Sequence, residues 1–251
     1  MAGDYAILAP HYNRIGLADF ATRITPKVLN FVQQNGWMGR RILDLGCGTG
    51  ACSAWFATHG YVAVGVDHSP EMLSQMRQAM EAGGLNVSFI EADIRQLEAA
   101  ERIDLAVGIG VMNELDSLRD LEAVFQSMQK NLAAGRFFAF DLYTIEGLTE
   151  YGETGDQLVY ENPDLIVFSR IRYDFERQIC GVGYQLFQRA ENNLWKLERA
   201  KRVMRAYPIQ AIVALLRRLG FEIVGVVNTN FETVDITAPR AAHVIFVAKK
   251  L

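Results

Sequence analysis

The stretch that most limits how this chain can fold is residues 41–50, Arg-Ile-Leu-Asp-Leu-Gly-Cys-Gly-Thr-Gly. There a run of strand formers closed by an acid leads straight into three glycines spaced two apart. The helical segment 51–59 follows, so a strand feeds a tight turn into a helix N-terminus. Backbone N–H groups stand free at such a place, and a ligand can approach the chain closely because no Cβ intervenes. A second acid, Asp67, closes the next apolar run (61–66), 21 residues after Gly46. An acid ending a second strand is placed to hold a ribose diol, and the two features together read as a nucleoside-binding βαβ unit.

The rest of the chain sets that unit in a larger sheet. Residues 1–40 read as a helical lid, with tyrosines at 5 and 12 and a second periodic segment from Phe20 to Asn35. His59 and Gly60 end the first helix as a normal C-terminal cap. After Asp67, Ser69 is a good N-cap, Pro70 suits the first helical position and Glu71 favours the helix dipole, so a helix is expected to about Ala82. Strands follow at 87–93, 102–110 and 136–143, with a helix over about 117–132 between the last two. Six alternating elements with short connections imply a parallel, helix-covered sheet. From about Gly147 to Tyr207 the period becomes two, which predicts an inserted antiparallel meander of three or four strands. Its aromatics (Tyr173, Phe175, Tyr184, Phe187, Trp195) are expected to put one face over the sheet's ligand edge or a partner subunit. Its basic last strand (Lys196, Arg199, Lys201, Arg202, Arg205) reads as a solvated edge. Pro208 opens a helix over 209–219, and 221–227 and 243–249 supply the last strands, joined by a polar loop; His243, opening a strand, reads as structural. The expected fold is α/β: a three-layer, doubly wound, seven-stranded, mostly parallel sheet whose last strand is antiparallel. The expected division is lid 1–40, core 41–146 with 207–251, and β insertion 147–206.

Composition narrows the partners. With a net charge of -4 the 251 residues carry no footprint for nucleic acid, so a small molecule is the expected partner. Cys47, Cys52 and Cys180 have neither zinc spacing nor a disulfide framework, no metal site is expected, and a reducing cytoplasm is the simplest setting. No apolar run approaches the roughly 20 residues of a membrane span, and neither signal peptide nor anchor is expected. A homodimer through the insertion is expected instead.

The segment Asp44-Leu45-Gly46-Cys47-Gly48-Thr49-Gly50 resembles the Asp-x-Gly-x-Gly-x-Gly signature of class I S-adenosylmethionine-dependent methyltransferases, whereas dinucleotide dehydrogenases usually show Gly-x-Gly-x-x-Gly. The end of the chain, Arg205-Ala206-Tyr207-Pro208 followed by a helix and Leu-Gly-Phe-Glu-Ile, resembles small-molecule methyltransferases, including sugar N-methyltransferases that carry an antiparallel insertion. The resemblance implies S-adenosyl-L-methionine as cofactor, with contacts from Asp44, Gly46, Cys47 and Gly48 in the turn and from Asp67 to the ribose. It further implies that His68 and Met72 pack the adenine, that Asp93 accepts its amino group and that the Ile94 amide meets the ring. Gly110, ending the fourth strand, and Val111 after it are expected among the cofactor contacts, and Tyr12 of the lid is expected to approach the cofactor's carboxylate.

Methyl transfer to a nitrogen needs no enzyme base, whereas transfer to a hydroxyl usually does. Where the family often has two histidines this chain has Asn113 and Glu114, which removes the familiar base. His11, Glu114, Tyr143 and Tyr207 are the substrate-side candidates, and no residue is compelled as catalyst. The reading is therefore a methyltransferase acting on an N or O atom of a small molecule. The alternatives are a non-catalytic S-adenosylmethionine-binding module and, below it, an NAD-dependent oxidoreductase.

Overall fold

The computed structural model describes residues 3–99, 102–237 and 240–251. The chain opens with the short helix α1 (Tyr5–Leu8) and continues through a 3-10 turn to α2 (Asp19–Gln34). The core then alternates β1 (Arg41–Leu45), α3 (Ala51–Thr58), β2 (Val62–Asp67), α4 (Pro70–Gly83), β3 (Ser88–Glu91), β4 (Ile103–Gly108), α5 (Leu118–Asn131) and β5 (Leu132–Tyr143). Next come α6 (Ile145–Glu153) and four long strands, β6 (Asp156–Asn162), β7 (Leu165–Asp174), β8 (Ile179–Arg189) and β9 (Trp195–Arg205). The chain closes with α7 (Ile209–Arg218), β10 (Phe221–Asn228) and β11 (His243–Lys250). Two residues of the polar loop before β11, Ala238 and Pro239, lie outside the described residues.

The main sheet has the order β10-β11-β5-β4-β1-β2-β3, and only β11 runs antiparallel to its neighbours. The order reverses beside β1, so a crevice opens there at the carboxyl ends of the strands. Strand alternation divides the core between two layers. Leu43, Leu45, Phe138 and Phe140 pack with Leu121, Phe125, Ile212 and Leu216 from α5 and α7. On the other face Ile42, Phe137 and Ala139 pack with Val28, Phe56, Leu73 and Met76 from α2, α3 and α4. The expected α4 signals form as read: the Ser69 hydroxyl accepts the Met72 N–H, Pro70 opens the helix, and Gly84 ends it with φ +62°.

The insertion is a separate four-stranded antiparallel sheet, β6-β7-β8-β9. Its inward positions alternate cleanly, with Leu165, Val167 and Ile171 on β7 and Cys180, Val182, Tyr184 and Leu186 on β8. These residues form a third core with Tyr5, Leu8, Ala9 and Ile15, so the N-terminal segment packs on the insertion rather than on the main sheet. The expectation of one aromatic face needs correction. Tyr184 points inward, whereas Phe187 meets Phe168 on the outer face and Phe175 is exposed, because those positions differ in parity or lie past the strand end.

Helix α6 joins the two sheets. The Thr144 hydroxyl accepts the Gly147 N–H at 3.0 Å and donates to the Ala241 carbonyl at 3.0 Å, so the first turn of α6 lies flat on the residues before β11. A Cβ at Gly147 would stand 1.8 Å from the Ala242 carbonyl oxygen, which only a backbone shift could relieve. Gly147→Ala should therefore destabilise the protein by about 1–3 kcal/mol, seen as a lower midpoint of chemical denaturation.

Candidate active site

The turn after β1 owes its shape to residues in the left-handed region. Gly46 has φ +63° and Gly48 has φ +54°. A Cβ at Gly46 would lie 2.5 Å from Val111 Cγ2, while one at Gly48 would project into open space with only Met72 Cε near, at 3.9 Å. Residue 46 thus fits no side chain, and residue 48 leaves its backbone bare to the cleft. Beneath the turn Asp44 is 1% exposed and accepts the Ser53 hydroxyl at 2.6 Å. Burial raises its pKa to about 7.

One cleft runs along the carboxyl edge of the sheet. Its first half is lined by Gly46, Asp67, His68, Asp93, Ile94, Val111 and Glu114. The second half holds Tyr12, Gly46, Cys47, Gly48, Gly110, Tyr143, Arg202 and His243, among others. Between them Tyr5, Tyr12, Asp67, Met72 and Glu114 close the middle. Of the residues expected to bind a cofactor, only Asp44 stays out of the cleft, behind the turn.

Several of these groups are already engaged. Asp67 accepts the Gly48 N–H at 2.8 Å on one oxygen and the Ser69 N–H at 2.9 Å on the other, which ties β2 to the glycine turn. Its pKa is raised, chiefly by burial. Asp93 caps the turn after β3 and grips the Arg95 guanidinium with both oxygens, at 2.9 and 3.0 Å from Nε, and that bonding lowers its pKa. Gly110 donates its N–H to Asp141 at 2.6 Å.

The four substrate-side candidates separate. Tyr143 lines the cleft, stacked on His243 at 4.1 Å. Glu114 is there too, but Arg202 holds it in an ion pair and the Tyr5 hydroxyl donates to it, which leaves a neutralised carboxylate rather than a free base. His11 and Tyr207 do not reach the cleft. The His11 ring meets Gln188 of β8 at 2.6 Å, and burial lowers its pKa. Tyr207 lies in the larger core and donates to the Leu115 carbonyl.

Three further residues escaped the reading of the sequence. Arg202, expected on a solvated edge, is inward on β9 with its side chain 13% exposed. Strand periodicity alone leaves open which face of β9 meets the cleft. Asn113 donates to the carbonyls of Tyr143 and Arg205 and accepts the Tyr143 N–H at 2.7 Å, stapling β4, β5 and β9 together. His243, expected to be structural, lines the cleft against Asp141.

Residues 42–135 match a family model described as a methyltransferase domain. Residues 42–135 thus make up a methyltransferase domain. A Geobacillus sp. (strain WCH70) protein, whose name gives it provisionally as a methyltransferase, is 25% identical over 223 residues, 87% of this chain and 88% of that one. The ubiquinone biosynthesis O-methyltransferase of Coxiella burnetii is 32% identical over 139 residues, and the chain spans 56% of its length. In structure the methyltransferase domain and its insertion resemble an S-adenosylmethionine-dependent methyltransferase from Clostridium acetobutylicum (TM-score 0.82, 21% identity, 98% of each chain). They also resemble the sugar N-methyltransferase KedS8 from Streptoalloteichus (TM-score 0.73, 19% identity, 95% of this chain and 91% of that one). These two likenesses extend to the inserted sheet and concern the fold. Among the described residues no helix is long and apolar enough to cross a membrane, and no cluster of His, Cys, Asp or Glu is arranged to hold a metal.

The buried acid under the turn gives the methyltransferase domain a defined pH response. Because folding raises the Asp44 pKa from 3.8 to about 7, its contribution is complete below the unfolded value and fades as pH rises through about 7. Relative to Asp44→Asn, which keeps an acceptor for Ser53, the wild type should lose roughly 3 kcal/mol between about pH 4 and pH 7. Denaturation midpoints of both proteins across that range check this.

Proposed function

We propose that this cleft holds S-adenosylmethionine along its length and passes the methyl to an oxygen or nitrogen atom of a small molecule. The observation that carries the reading is the match between the cleft's charge and a sulfonium. Asp67, Asp93, Glu114, Asp116 and Asp141 line it, and its two arginines, Arg95 and Arg202, are both held by acids. A cation is favoured where acids outnumber arginines in this way, whereas a pyrophosphate would find both arginines already held by acids. That disfavours the NAD-dependent alternative on electrostatic grounds, beside the glycine spacing.

Bound S-adenosylmethionine supplies an electrophilic methyl on a sulfonium whose charge disappears as the methyl leaves. The chain's own part is to bind and orient. Gly46, Cys47, Gly48 and Gly110 offer bare backbone for the amino-acid end, with Tyr12 above them. Each Asp67 oxygen takes one backbone N–H and keeps a lone pair for the ribose hydroxyls. Ile94, Val111, His68 and Met72 surround the place for the adenine, and Asp93 stands at the rim with Arg95 on both of its oxygens. Holding donor and acceptor in line is worth on the order of 7–11 kcal/mol, enough to carry most of the rate without a compelled base.

In this reading residues 1–40 form a lid and 147–206 select the acceptor, since Arg202 and Met204 of β9 and Tyr12 of the lid line the cleft. The outer face of the insertion, with Leu158, Phe168 and Leu197 exposed, supports a homodimer. Asp67→Ala should weaken S-adenosylhomocysteine binding by about 1–3 kcal/mol in calorimetry, the cost of hydrogen bonds lost to a buried diol. Equal affinity in the two proteins would refute the assignment. S-adenosylhomocysteine should raise the melting temperature of the wild type and NADH should leave it unchanged, because only a ligand bound to the native state shifts it.

A further inference from the structure

The half of the cleft beyond the glycine turn contains a carboxylate–histidine pair. His243 opens β11 opposite Tyr143 of β5, and two residues along Ile245 pairs with Asp141. With side chains alternating along each strand, this register brings Asp141, Tyr143 and His243 to one face. His243 Nε2 lies 2.5 Å from Asp141 Oδ2, and the other Asp141 oxygen is fixed by the Gly110 N–H. The Asp141 side chain is 2% exposed. Phe20, at 4.4 Å, and Tyr143, at 4.1 Å, stack on the imidazole and fix its plane. A carboxylate only accepts, so the nitrogen facing it carries the proton and Nδ1 keeps its lone pair. Among the described residues Nδ1 has no hydrogen-bond partner in the protein.

Resting on the methyltransferase reading above, we propose that His243 takes the proton of the methyl acceptor and that this acceptor is a hydroxyl compound, specifically a phenol. An amine attacks with its own lone pair and has no need of a base, whereas a hydroxyl is a weak nucleophile until its proton leaves. Asp141 is the positioning residue: it holds the tautomer and faces the imidazolium once formed. The wall of stacked rings, Phe20, His243, Tyr143 and Tyr151, gives a planar aromatic ring its apolar contact. The acceptor oxygen forms the new C–O bond while its proton passes to Nδ1. The pair of the breaking C–S bond stays on sulfur, which ends as a neutral thioether, and the imidazolium later returns its proton to water.

The test uses the full chain saturated with S-adenosylhomocysteine and titrated with 4-nitrophenol at about pH 6, where the free phenol is mostly protonated. A bound nitrophenolate absorption band is expected, weakened about tenfold in His243→Gln, whose S-adenosylhomocysteine affinity should stay at the wild-type level. In ¹⁵N spectra the wild-type His243 proton should sit on Nε2, and Asp141→Asn should shift it toward Nδ1. A complex that binds S-adenosylhomocysteine yet shows no band, or shows one of equal strength in His243→Gln, overturns the role of His243 while leaving the cofactor reading intact. Failure of S-adenosylhomocysteine to bind at all overturns both. Should His243→Gln not fold, a wild-type spectrum with the proton on Nδ1 is enough to sink the proposal.

Discussion

The cleft depends on a short stretch of backbone that only glycine adopts without strain. Gly46, Gly48 and Gly50 all have positive φ, and each such position costs an L side chain roughly 1–2 kcal/mol. That conformation lets the chain leave β1, reverse, and enter α3 within five residues, with the Gly48 amide turned to Asp67. Asp44 below and Val111 beside the turn then hold it from two sides. The backbone rather than any side chain is therefore what the cleft presents at its centre, and the acids at the ends of neighbouring strands set its field.

A second dependence links the two sheets. Arg202 reaches from the insertion to Glu114 in the turn after β4, with Tyr5 of α1 on the same carboxylate. Removing one partner of such a buried pair leaves a charge without compensation, so the three segments are coupled through a single cluster. Burial also pushes the Tyr5 and Tyr12 phenols up, which keeps them as neutral hydrogen-bonding groups beside the acid. The same carboxylate occupies one of the two places where the family often carries histidine, so its proton-accepting capacity is spent on architecture.

Regular patterns made much of the fold legible. The alternation of strands and helices through Tyr143, the period-two insertion and the caps at Ser69 and Gly84 are local, and neighbours along the chain were enough to read them. Helix α6 and strand β6 were harder, since both lie where the periodicity had changed and neither repeats long enough to stand out. Within the site, the glycine turn, Asp67, Asp93 and Gly110 were readable because strand ends in a parallel sheet share one edge. His11 and Tyr207 were misplaced because nothing in a short segment tells which side of a helix or loop faces a cleft.

By itself the sequence determined the three-layer sheet, the edge at which its parallel strands end and the glycine turn, since those follow from periodicity and from φ angles that other residues resist. The tertiary structure alone decided that Arg202 is buried on Glu114, that the N-terminal segment packs on the insertion, and that His243 meets Asp141. Those contacts join positions about 90 to 200 residues apart. They depend on strand register and on which face turns inward, and neither is written in the residues next to them.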